Sequence, residues 1–263
     1  MTIFWRYLRD DRLSLLGWAV GVAGMAAMVV GMFPAMGESE MWGDLMARMP
    51  KWLQAFAGGA ISIGTLDGWL SWEWFSWSSW LIGTAGALGG AAVIARDVET
   101  KSMEFLLAQP VRRWRVVVER YLSVAALLLV LSVVGAAALE VGVRWVDKPA
   151  SLGAYRIVAL NGFVLTLVIA AFATLVSVLA GEQRRATVVA VGGLFGSYLV
   201  DVILKAADKG DWVRAFLPFH YYDVNAIVRT GHMPWGNIGI LFAATVVLVA
   251  AAALAFERRD VAA

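Results

Sequence analysis

The chain has 263 residues, of which 60% are hydrophobic and 16% charged, with a net charge of +2 and no cysteine. Soluble domains carry about 25% charged residues, so a water-soluble globule is excluded. The missing cysteines exclude disulfides, thiolate metal sites and cysteine nucleophiles.

Taken in chain order, residues 1–12 set Phe4, Trp5, Tyr7 and Leu8 among Arg6, Arg9, Asp10, Asp11 and Arg12. That mixture predicts a short helix lying in a membrane interface, with its apolar face buried and its charges wet; a frayed basic N-terminus is the alternative. Six apolar stretches follow, each long enough to cross a bilayer, which takes about 20 helical residues: Leu13–Phe33, Trp77–Ala95, Tyr121–Val143, Ile157–Gly181, Ala186–Leu204 and Asn237–Phe256. None alternates with a period of two. Only helices or closed barrels satisfy their backbone in lipid, so the expected fold is an all-α polytopic membrane protein with six transmembrane helices in one domain, 1–263. The first stretch is too long for a signal-peptide core and lacks a small-x-small exit, and is expected to stay as a span.

Between the first two spans, the long segment 34–76 contains Glu40–Phe56, whose apolar residues recur close to a helical period. This predicts an amphipathic helix on the outer membrane surface. Trp69, Trp72, Trp74, Trp77 and Trp80 follow. Indoles favour the headgroup level, so the cluster is expected to form an interfacial belt; an aromatic-ligand or carbohydrate platform is the other reading. Small residues at Gly17, Gly21 and Gly24, at Gly83, Gly86, Gly89 and Gly90, and at Gly192, Gly193 and Gly196 are expected to let helices approach closely.

Basic residues fix an orientation. With both termini cytoplasmic, segments 1–12, 96–120, 182–185 and 257–263 hold more than half of the 22 Lys and Arg residues, on little more than half the length of the opposite loops. By the positive-inside rule the N- and C-termini are expected to be cytoplasmic.

The charged island Ile94–Tyr121 between spans two and three is the most informative stretch. Asp97 is placed to cap a helix, Glu99 lies in its first turn, and Pro110 stops it. The predicted helix, 97–109, is amphipathic but carries acidic residues among basic ones. Helices that lie on lipid are one-sidedly basic, so a groove on a partner protein is favoured over the lipid surface; an ordinary basic re-entry loop is the plain alternative.

Glu99-Thr-Lys-Ser-Met-Glu-Phe-Leu-Leu-Ala-Gln-Pro-Val-Arg-Arg-Trp resembles the cytoplasmic loop of type-2 ATP-binding-cassette (ABC) transporter permeases. The matching positions are Glu99, Glu104, Leu106, Leu107, Pro110, Val111, Arg113 and Arg120. Lys101 and Ser102 depart from the glycine and threonine usual there. Pro218-Phe-His-Tyr-Tyr-Asp-Val and Phe256-Glu-Arg-Arg-Asp260 are similar to the outer loop and C-terminal ending of the same family. The resemblance implies a coupling helix between spans two and three, docked through Asp97, Glu99, Ser102, Met103, Glu104, Leu106, Leu107, Pro110, Val111 and Arg113 into a cytoplasmic ABC ATPase subunit. Two ATPase copies and a second permease copy, identical or a close paralogue, would complete an exporter in a cell membrane, the inner membrane of a prokaryote. ATP and Mg would sit on the ATPase: no Gly-x-x-x-x-Gly-Lys-Ser/Thr loop occurs in this sequence. Lipids surround the chain, and nucleic acid is not among the implied partners.

Other chemistry is sparse. His220 and His232 would need further ligands, Asp211 or Asp223, to hold a metal, and no spacing fixes a geometry. No Gly-x-Ser-x-Gly elbow occurs, so the chain is expected to have no catalytic residues of its own. Glu140 and Asp201 are expected at wetted helix ends, with a pathway or a paired site at membrane depth as the alternative, and Asn161 in an interhelical hydrogen bond. Substrate residues are not indicated; the apolar bundle and amphipathic outer loop favour hydrophobic cargo such as a drug, lipid or peptide. A non-transporting anchor that recruits a partner and a membrane-embedded lipid-modifying enzyme are the rival functions.

Overall fold

The computed structural model describes residues 2–37, 48, 64–100 and 112–258. Six helical stretches are long and apolar enough to cross a membrane: Arg12–Met36, Leu66–Glu99, Arg113–Val146, Leu152–Ala180, Gln183–Ala207 and Trp235–Arg258. No strand occurs among the described residues. Helix α1 (Thr2–Asp10) precedes α2 (Arg12–Met32), and a wider π turn, Phe33–Gly37, extends α2. Leu66–Leu70 and a second π turn, Ser71–Phe75, lead without a break into α3 (Ser76–Glu99). Then come α4 (Arg113–Val146), α5 (Leu152–Ala180), α6 (Gln183–Ala206) and α7 (Trp235–Arg258). The stretch Glu40–Phe56, where an amphipathic surface helix is expected, lies outside the described residues except for Arg48.

An even number of crossings puts α1, the α3–α4 and α5–α6 junctions and the end of α7 at one end of the bundle, here called the terminal end. Leu66, the α4–α5 turn and residues 207–234 mark the distal end. Two of the stretches run well past the apolar runs in the sequence. Leu66–Glu99 and Arg113–Val146 each have 34 residues, or about 51 Å of helix against a hydrocarbon core of about 30 Å. Their charged extensions are invisible to a hydropathy window because the helix continues where hydrophobicity stops.

Helices α3 and α5 form the centre. Of their membrane-length apolar windows, 61% and 67% are buried, against 17% for α6 and 22% for α2 and α7. Helix α2 packs on α4, α6 on α3 and α5, and α7 on α5 and α4. Glycine explains the central contact: a Cβ on Gly90 would stand 2.5 Å from the Ala170 carbonyl oxygen and 2.7 Å from the Ala173 Cβ. Gly86 also faces α5, with the Thr166 carbonyl oxygen 3.3 Å from a Cβ there. The first glycine row behaves otherwise. Among the described residues nothing lies within 4 Å of a Cβ at Gly17, Gly21 or Gly24, so the close approach expected of that spacing does not occur among them.

The tryptophan cluster also departs from expectation. Trp69 and Trp74 are buried in the bundle, 4% and 3% exposed, while Trp77 is 50% exposed. Trp69 Nε1 donates to the Val29 carbonyl oxygen at 2.9 Å, which ties the distal end of α2 to the start of the second span. Helical periodicity from residue 66 onward turns some indoles inward, whatever their depth preference. Trp69→Ala therefore loses about 3 kcal/mol or more of packing and a buried hydrogen bond, and Trp77→Ala leaves the fold intact. Thermal unfolding followed by intrinsic fluorescence checks the pair; equal melting temperatures would refute the assignment.

Candidate functional site

Residues 97–99 are the last turn of α3, not the start of a new helix: Thr100 N–H donates to the Arg96 carbonyl oxygen at 3.0 Å and closes that helix. The expected cap at Asp97 is thus corrected. The α-helix runs on through the charged residues because Val98 and the aliphatic part of this turn pack on the core, and the carboxylate is spent on an ion pair instead. Ser102, Met103, Glu104, Leu106, Leu107, Pro110 and Val111 lie outside the described residues. The described residues stop at Thr100 and resume at Arg112, with α4 starting at Arg113, which is half-buried.

A buried arginine joins these two helix ends into a frame. One guanidinium nitrogen of Arg120, in α4, donates to Asp97 Oδ2 at the end of α3, and the other terminal nitrogen donates to the Val93 carbonyl oxygen. The side chains are 4% and 17% exposed, respectively. The guanidinium carbon also sits 5.0 Å from the ring centroid of Tyr7, a cation–π distance. Tyr7 OH donates to the Ala92 carbonyl oxygen at 3.4 Å, and Ser123 Oγ donates to the Phe4 carbonyl oxygen at 3.3 Å. Burial pushes the Tyr7 hydroxyl above the ordinary tyrosine range, against the pull of the Arg120 charge. Helix α1 is therefore docked on α3 and α4, with Trp5 left 66% exposed.

Two further contacts extend the frame to α5 and α6. Ser177 Oγ of α5 donates to the Ala91 carbonyl oxygen at 2.7 Å and accepts from the amides of Ile94 and Ala95 at 3.0 and 2.9 Å. One hydroxyl thus bridges the hydrogen-bond ladder of α3 just before Asp97, a device that allows a helix to bend. Glu99 accepts from the Gln183 amide, the first of α6, at 3.3 Å, where a carboxylate complements the helix dipole. Five helices, α1, α3, α4, α5 and α6, thus meet around the last turns of α3. Asp97, Glu99 and Arg120 were legible as charged positions in the sequence. Tyr7, Ser177 and Gln183 carry no such signal, because their hydrogen bonds reach partners 82 to 86 residues away in the chain.

The distal end holds the other polar residues. Asp67 accepts from the Ser151 amide at 3.0 Å, from Ser151 Oγ at 2.8 Å and from Tyr155 OH, joining the second and fourth spans. Glu140 faces the surface in a bidentate pair with Arg156 at 2.6 and 3.0 Å. Asp201 is not at a wetted helix end. It is 7% exposed and bonded to Arg214 Nε at 3.1 Å, with His220 Nδ1 3.9 Å away. The short helix Asp211–Arg214 and the turn Pro218–Tyr221 bring both basic groups back over α6, a fold-back that hydropathy does not encode. Asn161 is fully buried and donates to the Tyr221 carbonyl oxygen at 3.1 Å, so it holds that turn rather than another spanning helix. Asp223 caps Val224–Thr230 through the Ala226 amide at 3.0 Å, and His232 is exposed. Among the described residues no three His, Asp or Glu side chains converge as a metal site would require.

Six apolar helices with a charged frame at the terminal end accord with the sequence pattern across the whole chain. The family model for an ABC-2 family transporter protein matches residues 1–261. The chain belongs to that family. As an ABC-2 family protein it is a transmembrane permease domain, of the kind that forms the membrane component of a transporter. No curated protein matches this ABC-2 permease.

Proposed function

We propose that the chain is the membrane subunit of an ATP-driven exporter, with its terminal end in the cytoplasm and the segment 101–111 docked on a separate ABC ATPase. The observation that carries this reading is the frame built around Arg120. A segment that transmits force must be held at both ends, and here the exit from α3 and the entry to α4 are joined by a buried ion pair. Glu99, Ser102, Met103, Glu104, Leu106, Leu107, Pro110, Val111 and Arg113 are the docking residues in this reading, and Asp97 anchors them through Arg120. Ser177 then supplies the pivot of α3, so that a push on the docked segment moves α3, α4 and α1 together. ATP and Mg belong to the ATPase, present in two copies. A second permease, identical or paralogous, completes the pathway through the membrane, and the cargo moves outward.

The natural absence of cysteine gives a direct test. A cysteine at Leu107 is expected to crosslink to a cysteine in the groove of the ATPase, with a yield that changes on nucleotide addition. Leu107→Asp and Glu104→Arg are each expected to leave the protein inserted and to lower ATP-driven transport by about tenfold or more, since a charge forced into a packed interface costs roughly 2 kcal/mol or more. Full transport by both variants, with no crosslink in a membrane-embedded pair, would count for a non-transporting anchor instead.

A further inference from the structure

Two cavities at the distal end share a wall. The first, about 230 Å³, is an aromatic cleft between α3 and α6 lined by Trp72, Trp77, Trp80, Phe195 and Leu199. The second, about 190 Å³, is polar and includes Asp201, Lys205, Arg214, His220 and Asp223. Ser76 and Tyr198 line both. Small-molecule sites occupy roughly 300–1,000 Å³; neither compartment reaches that alone, and the two together do.

The aromatic wall is built rather than incidental. The Trp80 ring lies 4.4 Å from Phe195 and 4.5 Å from Tyr198, and Tyr198 lies 5.2 Å from Phe219 beneath the polar compartment. In the polar compartment two carboxylates face two cations, so its charge is balanced. Its hydrogen-bonding capacity is not used up. Arg214 Nε and the His220 approach are both directed at Asp201 Oδ1. His220 Nδ1 is buried and makes no hydrogen bond. Lys205 is exposed and has no ion-pair partner among the described residues. A buried polar atom such as His220 Nδ1 is expected to meet a partner, and the exposed Lys205 ammonium stands open to one. An acceptor and an ammonium set beside an aromatic cleft match a head that carries both charges, joined to one apolar chain.

We propose that this two-part cavity binds a zwitterionic single-chain amphiphile, of the lysophospholipid class. The chain lies against Trp72, Trp77, Trp80 and Leu199. The head enters past Ser76 and Tyr198, its phosphate toward Lys205 and its ammonium toward Asp201. The site requires no ATPase and is independent of whether the amphiphile is exported.

The test uses the full chain in nanodiscs without any partner, with radiolabelled lysophosphatidylethanolamine as probe and a monoacylglycerol of equal chain length as the uncharged comparison. Saturable binding of the lysophospholipid is expected, tighter than that of the monoacylglycerol. Trp77→Ala, at an exposed position that leaves the bundle packed, weakens both probes. Lys205→Ala weakens the lysophospholipid by about fivefold, as for loss of one charge-assisted hydrogen bond at a partly wet site, and leaves the monoacylglycerol unchanged. Uptake that never saturates, equal affinity for the two probes, or variants that bind like the wild type would each overturn the assignment. A failure of ATP-driven export with binding intact would bear on the exporter reading alone.

Discussion

Arg120→Ala is expected to destabilise the protein by about 3–5 kcal/mol, the usual cost of leaving one member of a buried pair without its partner. Both side chains are mostly shielded, at 4% and 17% exposure, so solvent screens little of that loss. Three acceptors or surfaces lose their contact with the guanidinium at once: the Asp97 carboxylate, the Val93 carbonyl oxygen and the Tyr7 ring. Asp97→Ala should be comparably harmful, because it leaves the buried guanidinium charge without its carboxylate, although the Val93 carbonyl and Tyr7 still hold it. The double variant Asp97→Asn with Arg120→Gln removes both charges and should recover much of the stability, since a neutral pair avoids the desolvation of two ions. Thermal melts of the purified protein, read by tryptophan fluorescence, measure the first part. Transport in vesicles containing the ATPase measures the second. If the pair transmits force from the segment 101–111, the double variant will be stable and still poorly coupled. Single variants that melt like the wild type would show that the pair is not the anchor described here.

The parts of this molecule that were legible in the sequence are those that depend on local composition. Six spans follow from runs of apolar residues, because the cost of exposing a backbone to lipid leaves helices as the only solution for such runs. The charged island was legible for the same reason: charge is expelled from the apolar core, so Asp97 and Arg120 mark its edge. Legibility fails where a residue's role is set by what lies across the bundle. Five tryptophans near one span end look alike in sequence, but Trp69 meets the Val29 carbonyl and Trp77 does not turn inward. Asp201 looks like a helix-end carboxylate until Arg214 and His220 fold back over it. Ser177 is one of several serines in apolar stretches, and only the approach of α3 makes it a bridge. The same limit applies to cargo: the distal cavities are assembled from α3, α6 and the segment after α6, and no contiguous motif announces them.

Glycine spacing gives the sharpest contrast between pattern and placement, and the second large effect follows from it. Gly90→Ala is expected to disrupt the α3–α5 contact at the centre of the bundle, whereas Gly21→Ala is expected to be neutral or slightly stabilising. A Cβ at residue 90 would meet the Ala170 carbonyl oxygen at 2.5 Å. That obstacle is backbone, so no rotamer change relieves it, and α5 must shift along much of its length. Overpacking of side chains alone costs about 1–3 kcal/mol; a clash with backbone at the most buried helix pair belongs at or above the top of that range. The displacement would also part Ser177 from Ala91, Ile94 and Ala95, one turn further along the same interface, and so loosen the turn that carries Asp97. Gly89→Ala provides the intermediate case. Its Cβ would meet the Val124 side chain at 3.2 Å, and a side chain can give where a carbonyl cannot. At Gly21 nothing among the described residues lies within 4 Å, and alanine removes the helix penalty of glycine, about 0.5–1 kcal/mol. The expected order of melting temperatures is Gly21→Ala at or above wild type, then Gly89→Ala, then Gly90→Ala far below. A sharp loss at Gly21→Ala with the monomer fold intact would mean that the exposed face of α2 meets a second copy in the assembled transporter. Tolerance of alanine at residue 90 would mean that α3 and α5 do not approach as closely as their glycine and alanine contacts require.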